Sequence, residues 1–292
     1  MLTTTVPKEF VHRAGVAEVM LTDWRRKDDL RFSVSAQWPR IHGFFAPVAG
    51  RHDPLIAAET LRQAGLLLAH AEFNVPLGFQ FVMWDLTLET RPEHLAVGGA
   101  PATLELDVVC RDVKSRNSTL AGFRYDVVMY RDGHVAATGS ARFTCMAPKV
   151  YQRVRGGRVV GSVRPLALTA PIAPQTVGRV SPTDVVLSAT PDEGRWQLRL
   201  DTRHPVLMEH PVDHVPGMLL LEAVRQASIA TVGTGARPLA LVSDFTRYIE
   251  LDTPSFIEAR RIPGDGTRVL VTGTQNGELA FSSTVTMESR TV

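Results

Sequence analysis

Two stretches of the chain are apolar almost without a break: LIAAETLRQAGLLLAHA at residues 55–71 and MLLLEAVRQASIATV at 218–232. A helix that is hydrophobic on nearly all sides belongs inside a protein. Each stretch follows a proline, Pro54 or Pro216, where a first helical turn tolerates one. Other segments carry a different period. LELDVVCRDV, FRYDVVMYRD and TRVLVTGTQ alternate apolar and polar residues, as half-buried antiparallel strands do. A helix buried on most sides needs a sheet that curls around it, and the pattern predicts this arrangement twice.

The two halves also match residue by residue. VHRAGVAEVMLT (11–22) aligns with VGRVSPTDVVLS (177–188), setting Val11 on Val177, Arg13 on Arg179, Val19 on Val185 and Leu21 on Leu187. The same offset sets Trp38 on His204. RHDPLIAAETLRQA (51–64) then aligns with DHVPGMLLLEAVRQA (213–227) if one residue is skipped, pairing His52 with His214 and Pro54 with Pro216. Alternating strands follow each helix: VMWDLTLE resembles LVSDFTRYIEL, and GHVAATGSARFTC resembles GELAFSSTVTM. The expected fold is α+β, a tandem (double) hotdog in which each half is a long buried helix wrapped by an antiparallel sheet. The halves would pack as an intramolecular pseudo-dimer that mimics a two-fold homodimer. The expected boundaries are an N-terminal repeat over 1–150, a linker over 151–172 and a C-terminal repeat over 173–292. The linker region is rich in Gly, Pro and Arg and reads as an exposed connector.

Each buried helix carries one polar stripe. Glu59, Arg62 and Gln63 lie at i, i+3 and i+4, as do Glu222, Arg225 and Gln226, so each trio shares a helix face. One reading is an ion pair tying the helix to its surroundings, worth about 0.3–0.5 kcal/mol if exposed. The other is chemical. A carboxylate in apolar surroundings holds its proton more tightly and can serve as a general acid or base near neutral pH. The adjacent arginine would hold it ionised or bind an anionic group on a substrate. Gly217, at the start of the second helix, offers an unpaired N–H with the helix dipole behind it, suited to polarising a thioester carbonyl. A plain turn glycine is the competing reading.

Composition narrows the field. The chain has 292 residues, 44% hydrophobic and 21% charged, with a formal net charge of +2 spread over interspersed charges, which argues against a nucleic-acid partner. MLTTTVPKEF lacks the features of a signal peptide, and no apolar run is long enough to span a bilayer, so the expected setting is cytoplasmic and away from membranes. Cys110 and Cys145 are too few for a zinc site, and a disulfide between them is unsupported. His204, His210 and His214 cluster, but Pro205, Pro211 and Pro216 break any helix that would align them on a metal. There is no G-x-S-x-G elbow and no Walker A motif, and VGTGARP lacks the third glycine of a dinucleotide fingerprint.

HPVDHVPGMLLLEAVRQA resembles the segment leading into the helix of hotdog dehydratases that act on acyl-carrier-protein thioesters. VHRAGVAEVMLTDW, AQWPRIHGFF, GRHDPLIAAETLRQAGLLLAH and VPLGFQFVMWDLTLE are similar to the AfsA family, the A-factor biosynthesis hotdog proteins, over nearly the whole chain and both repeats. The resemblance implies an acyltransferase. It would move a β-ketoacyl group from an acyl-carrier-protein thioester to a hydroxyl of dihydroxyacetone phosphate, toward a γ-butyrolactone or furan signal that controls antibiotic production. By the same resemblance Glu59 and Glu222 would be acid/base carboxylates beside Arg62 and Arg225. Gly217, Gln63, Gln226, His52, His204 and His214 are the candidate substrate-binding residues, with orientation of the helix-entry loop as the competing role of His52 and His214, and no cofactor or metal would be needed. The dehydratases place a catalytic histidine before the helix. Here His204 is the candidate in the second half and Trp38 stands at the aligned position in the first, which also lacks the glycine after its proline. These differences favour the second half for the chemistry. A dehydratase or thioesterase on the same fold and a non-catalytic acyl-ligand receptor remain as alternatives. The protein is expected as a monomeric pseudo-dimer or a homodimer.

Overall fold

The computed structural model describes residues 3–116, 119–158 and 160–288. The chain forms two compact units, one ending at Val154 and the next beginning at Arg155.

In the first unit the strands are β1 (Leu21–Arg26), β2 (Arg31–Trp38), β3 (Gln80–Thr90), β4 (Ala102–Arg116), β5 (Thr119–Arg131) and β6 (His134–Met146). They form an antiparallel sheet in the order β1-β2-β4-β5-β6-β3. The helix α1 (Pro54–Ala71) lies between β2 and β3 in sequence, and the short α2 (Pro148–Val154) follows β6. Nearly every residue of α1 from Leu55 to His70 is buried, while β4 alternates buried and exposed positions along its first half. Gly65 allows a close contact between helix and sheet. A Cβ there would lie 2.4 Å from the Tyr125 ring, whose hydroxyl donates to the Leu61 carbonyl.

The second unit repeats the plan. Its strands are β7 (Leu187–Ala189), β8 (Arg195–Leu198), β9 (Arg237–Phe245), β10 (Ser255–Ile262), β11 (Thr267–Gln275) and β12 (Glu278–Glu288), and its helix is α3 (Gly217–Val232). The sheet order is β7-β8-β10-β11-β12-β9, the same permutation as in the first unit. Both β5–β6 and β11–β12 turn through two residues at positive φ, Asp132-Gly133 and Asn276-Gly277, the tight hairpin turn that Asp-Gly and Asn-Gly pairs favour. Two copies of one strand order, each around a buried helix, make the fold a tandem hotdog.

The described residues of the stretch after Val154 are exposed or half-buried up to Ile172, with the exception of Arg155. Arg155 is 7% exposed and bonds to Asp213 and Glu250. The Leu166 N–H donates to the Leu251 carbonyl and the Ile172 N–H to that of Leu187. These three residues tie the stretch to the second unit.

Candidate active site

The polar stripes come together with a partner from outside each helix. Glu222 is fully buried. Arg179 donates to it through Nε at 2.9 Å and Nη2 at 2.7 Å. Arg225 does the same through Nε at 3.0 Å and Nη2 at 2.9 Å, and Gln226 Nε2 adds a fifth bond. Glu59, equally buried, has the same set: Arg13 Nε at 2.9 Å and Nη2 at 2.7 Å, Arg62 Nε at 2.9 Å and Nη2 at 2.8 Å, and Gln63 Nε2 at 2.6 Å. The two outside arginines are placed alike. Each directly follows a residue in the left-handed region, His12 or Gly178, that ends a short 3-10 turn at Lys8–Val11 or Pro174–Val177.

This geometry reverses the expected proton affinity. Burial alone would raise the carboxyl pKa values. The charges of Arg13 and Arg62 on Glu59, and of Arg179 and Arg225 on Glu222, outweigh it and lower both to about 2. A carboxylate offers roughly four acceptor directions, and five donors fill them here. The sequence shows the apolar helix around each glutamate but not the second guanidinium brought from more than forty residues away. Arg62 and Arg225 are likewise taken up by the carboxylates. Only the pairing of Arg13 with Arg179 in the repeat signalled the missing partner.

The glutamines extend each cluster. Gln226 accepts from the Val186 N–H and donates to the Asp184 carbonyl. Gln63 accepts from the Met20 N–H and donates to the Glu18 carbonyl. The side chains of Asp184 and Glu18 face a buried histidine in turn. His204 Nε2 lies 3.4 Å from Asp184 Oδ1, and its Nδ1 accepts from the Val206 and Leu207 amides. In the first unit the same position belongs to His42, with Nε2 3.2 Å from Glu18 Oε2 and Nδ1 accepting from the Phe44 and Phe45 amides. The structural counterpart of His204 is therefore His42, not Trp38. The length difference between the halves falls earlier than the alignment assumed, between the first strand and the histidine. Trp38 is instead a core residue whose indole N–H donates to Thr60 Oγ1.

The starts of the two helices differ in kind. At α1, Asp53 is the N-cap and its carboxylate accepts from the Leu55 N–H, with Pro54 filling the next place. At α3 the cap is Pro216, with no side-chain cap. The Leu219 and Leu220 amides turn back to the Pro216 carbonyl, and the Gly217 and Met218 amides have no acceptor among the described residues. A Cβ at Gly217 would meet only open space. Of the two long helices, only α3 starts with N–H groups that lack an acceptor among the described residues.

The preceding histidines differ as well. His52 is buried beside the Trp38 ring. Burial, reinforced by Arg131, lowers its pKa to about 4, so it is neutral at physiological pH. The His214 side chain is 28% exposed, and its Nδ1 meets Asp213 Oδ1 at 2.9 Å. His210 is exposed, and no group of three or more metal-binding side chains occurs among the described residues.

A family model described as the A-factor biosynthesis hotdog domain matches residues 1–147 and 162–289. A 2-oxo-3-(phosphooxy)propyl 3-oxoalkanoate synthase of Streptomyces virginiae is 54% identical over 286 residues, covering 96% of this chain and 97% of that protein. Proteins of the same name from Streptomyces griseus and Streptomyces coelicolor are 44% identical, covering 94% and 96% of this chain and 93% and 90% of theirs. Among solved structures, an acyl-ACP thioesterase from Bacteroides thetaiotaomicron aligns with a TM-score of 0.52 at 12% identity, covering 88% of this chain and 98% of its own. A 12:0-ACP thioesterase from Umbellularia californica aligns with a TM-score of 0.51 at 11% identity, covering 91% and 100%. At such identity these two carry the fold alone. No helix among the described residues is long and apolar enough to cross a membrane.

Proposed function

The chain belongs to the AfsA family of A-factor biosynthesis hotdog proteins, and we propose from that membership that it is the acyltransferase joining a 3-oxoacyl group to dihydroxyacetone phosphate. The name of its relatives describes the product, a 3-oxoalkanoate ester of a phosphorylated hydroxypropanone. Forming it requires a 3-oxoacyl thioester and the free hydroxyl of dihydroxyacetone phosphate. The product feeds the biosynthesis of a butyrolactone-type signal. The proposal includes an acyl carrier protein as the thioester donor and the cytoplasm as the compartment.

One structural observation supports placing the chemistry in the second unit: α3 begins with uncapped amides at Gly217 and Met218, while α1 is closed by Asp53 and Pro54. A thioester carbonyl seated there gains two N–H donors and the positive end of the helix dipole as its oxygen becomes an oxyanion. The hydroxyl oxygen attacks the carbonyl carbon and the C–O bond forms. The tetrahedral intermediate then collapses, the C–S bond breaks, and the carrier thiol leaves with a proton. Leu219, Leu220 and Val224, all buried on α3, are suited to an alkyl chain beyond the carbonyl. Glu59 and Glu222, ionised and saturated with donors, hold their helices to the segments bearing Arg13 and Arg179 rather than transfer protons.

The test is mass spectrometry of the protein with a 3-oxoacyl thioester and dihydroxyacetone phosphate. A phosphate-bearing ester and free thiol are expected. Release of the free 3-oxo acid alone would make the protein a thioesterase, and an enoyl product a dehydratase.

A further inference from the structure

We infer that His214, oriented by Asp213, is the base that takes the hydroxyl proton, and that Arg155 is the positioning residue that holds this pair. The inference rests on the acyl-transfer reading of the second unit.

His214 stands three residues before Gly217 and leads directly into the uncapped start of α3. Its Nδ1–H donates to Asp213 Oδ1 at 2.9 Å. In a neutral ring held this way the lone pair lies on Nε2. A carboxylate behind one ring nitrogen fixes the tautomer and stabilises the imidazolium once the other nitrogen has taken a proton. With its side chain 28% exposed, the ring is reachable by a ligand, unlike Glu222 at 0%.

Asp213 is itself tightly placed. It is 5% exposed, and Arg155 donates from Nε to its Oδ2 at 2.8 Å and from Nη2 to its backbone carbonyl at 3.3 Å. The far side of the Arg155 guanidinium meets both oxygens of Glu250, at 2.8 and 2.7 Å, and the group lies 4.2 Å over the Tyr248 ring. Tyr248 packs edge-on against His214. Arg158, bonded to Glu250 and Asp252, completes the charged surroundings. Burial works against the Arg155 charge, but its bonds to Glu250 and Asp213 prevail and it stays protonated. One Asp213 oxygen thus answers Arg155 and the other answers His214.

Among the described residues, the first unit shows no such relay. Asp53, beside His52, uses its carboxylate as the cap of α1, and His52 Nδ1 has no hydrogen-bond partner. Proton transfer and the uncapped amides therefore occur together in one unit only.

The step balances without a co-reactant. His214 Nε2 takes the hydroxyl proton as the C–O bond forms and the carbonyl electron pair moves to oxygen. When the carbonyl re-forms and the C–S bond breaks, the same proton passes from Nε2 to the departing thiolate.

The test compares wild type, His214→Asn, Asp213→Asn, Arg155→Lys and Arg155→Met with a 3-oxoacyl N-acetylcysteamine thioester and dihydroxyacetone phosphate, reading both phosphorylated ester and free thiol. His214→Asn can keep the bond to Asp213 but has no base. It is expected to lower kcat/KM by about 10²- to 10⁴-fold and to abolish the acid limb of the pH profile, with thioester binding unchanged. Asp213→Asn, which presents the wrong tautomer, should lower kcat with little change in KM. Arg155→Met should do the same, and Arg155→Lys should restore part of the rate. If His214→Asn kept the wild-type rate and pH limb in a folded protein, the assignment would be overturned. If wild type released thiol but made no phosphorylated ester, the acceptor would be wrong, while the effect of His214→Asn on thiol release would still decide the role of the histidine.

Discussion

Glu59 and Glu222 each sit at the centre of five nitrogen contacts with no exposure to water, and that decides what a change there does. Removing one partner of a buried ion pair leaves the rest of the charge unpaired, at a cost of about 3–5 kcal/mol. Glu222→Gln is therefore expected to destabilise the protein by about that amount in urea unfolding, because Arg179 and Arg225 lose their counter-charge. If the variant is instead as stable as wild type but inactive, Glu222 acts in the chemistry. The spacing of Glu222, Arg225 and Gln226 made the stripe legible in the sequence. Its electrostatic sign was not, since Arg179 lies far away along the chain and only the fold brings it in. His42 was hidden for a related reason: a length difference in the first hairpin moves it out of the aligned position that Trp38 occupies.

At the scale of elements, α1 and α3 match in burial and polar stripe but not at their first turn. Gly217 holds the first helical position of α3, where a proline is tolerated because the N–H it removes has no helical partner. Gly217→Pro should therefore leave thermal stability nearly unchanged while lowering kcat by about 10²–10³-fold, the effect of losing one oxyanion donor. A variant with full activity would show that the Gly217 amide does not meet the carbonyl oxygen. In α1 the opposite pattern is expected. Asp53→Ala removes the cap bond to Leu55 and should cost about 1 kcal/mol of stability without affecting turnover. Equilibrium unfolding and the ester assay on the same preparations separate the two effects. Pro54, Pro216 and Gly217 could be read from the sequence. The use of Asp53 as a cap, against Asp213 as a partner of Arg155 and His214, depends on side-chain directions that the shared His and Asp residues do not reveal.

For the whole molecule, the buried histidines and glutamates with lowered pKa values act in one direction. His52 falls to about 4 in the folded state against 6.5 in an open chain, and His70 is also lowered by burial. The unfolded chain binds more protons below about pH 6.5, so stability drops as pH falls from there toward 4. Glu59 and Glu222, at about 2 against 4.5, contribute stability that is complete above 4.5 and lost as pH falls toward 2. Denaturation midpoints across pH should decline in these two windows, and His52→Gln should flatten the upper one. A midpoint unchanged from pH 7 to 4 would contradict the buried neutral state of His52. The period-two strands, the two all-apolar helices and the internal repeat determined the tandem hotdog from sequence alone, because burial periodicity and repetition are properties of local order along the chain. The tertiary structure decided which carboxylates are saturated, which histidine faces a carboxylate while part of its ring stays exposed, and which helix keeps its first amides bare. Those outcomes depend on charges and donors brought together from distant positions, and an electrostatic environment is a property of neighbours in space rather than in sequence.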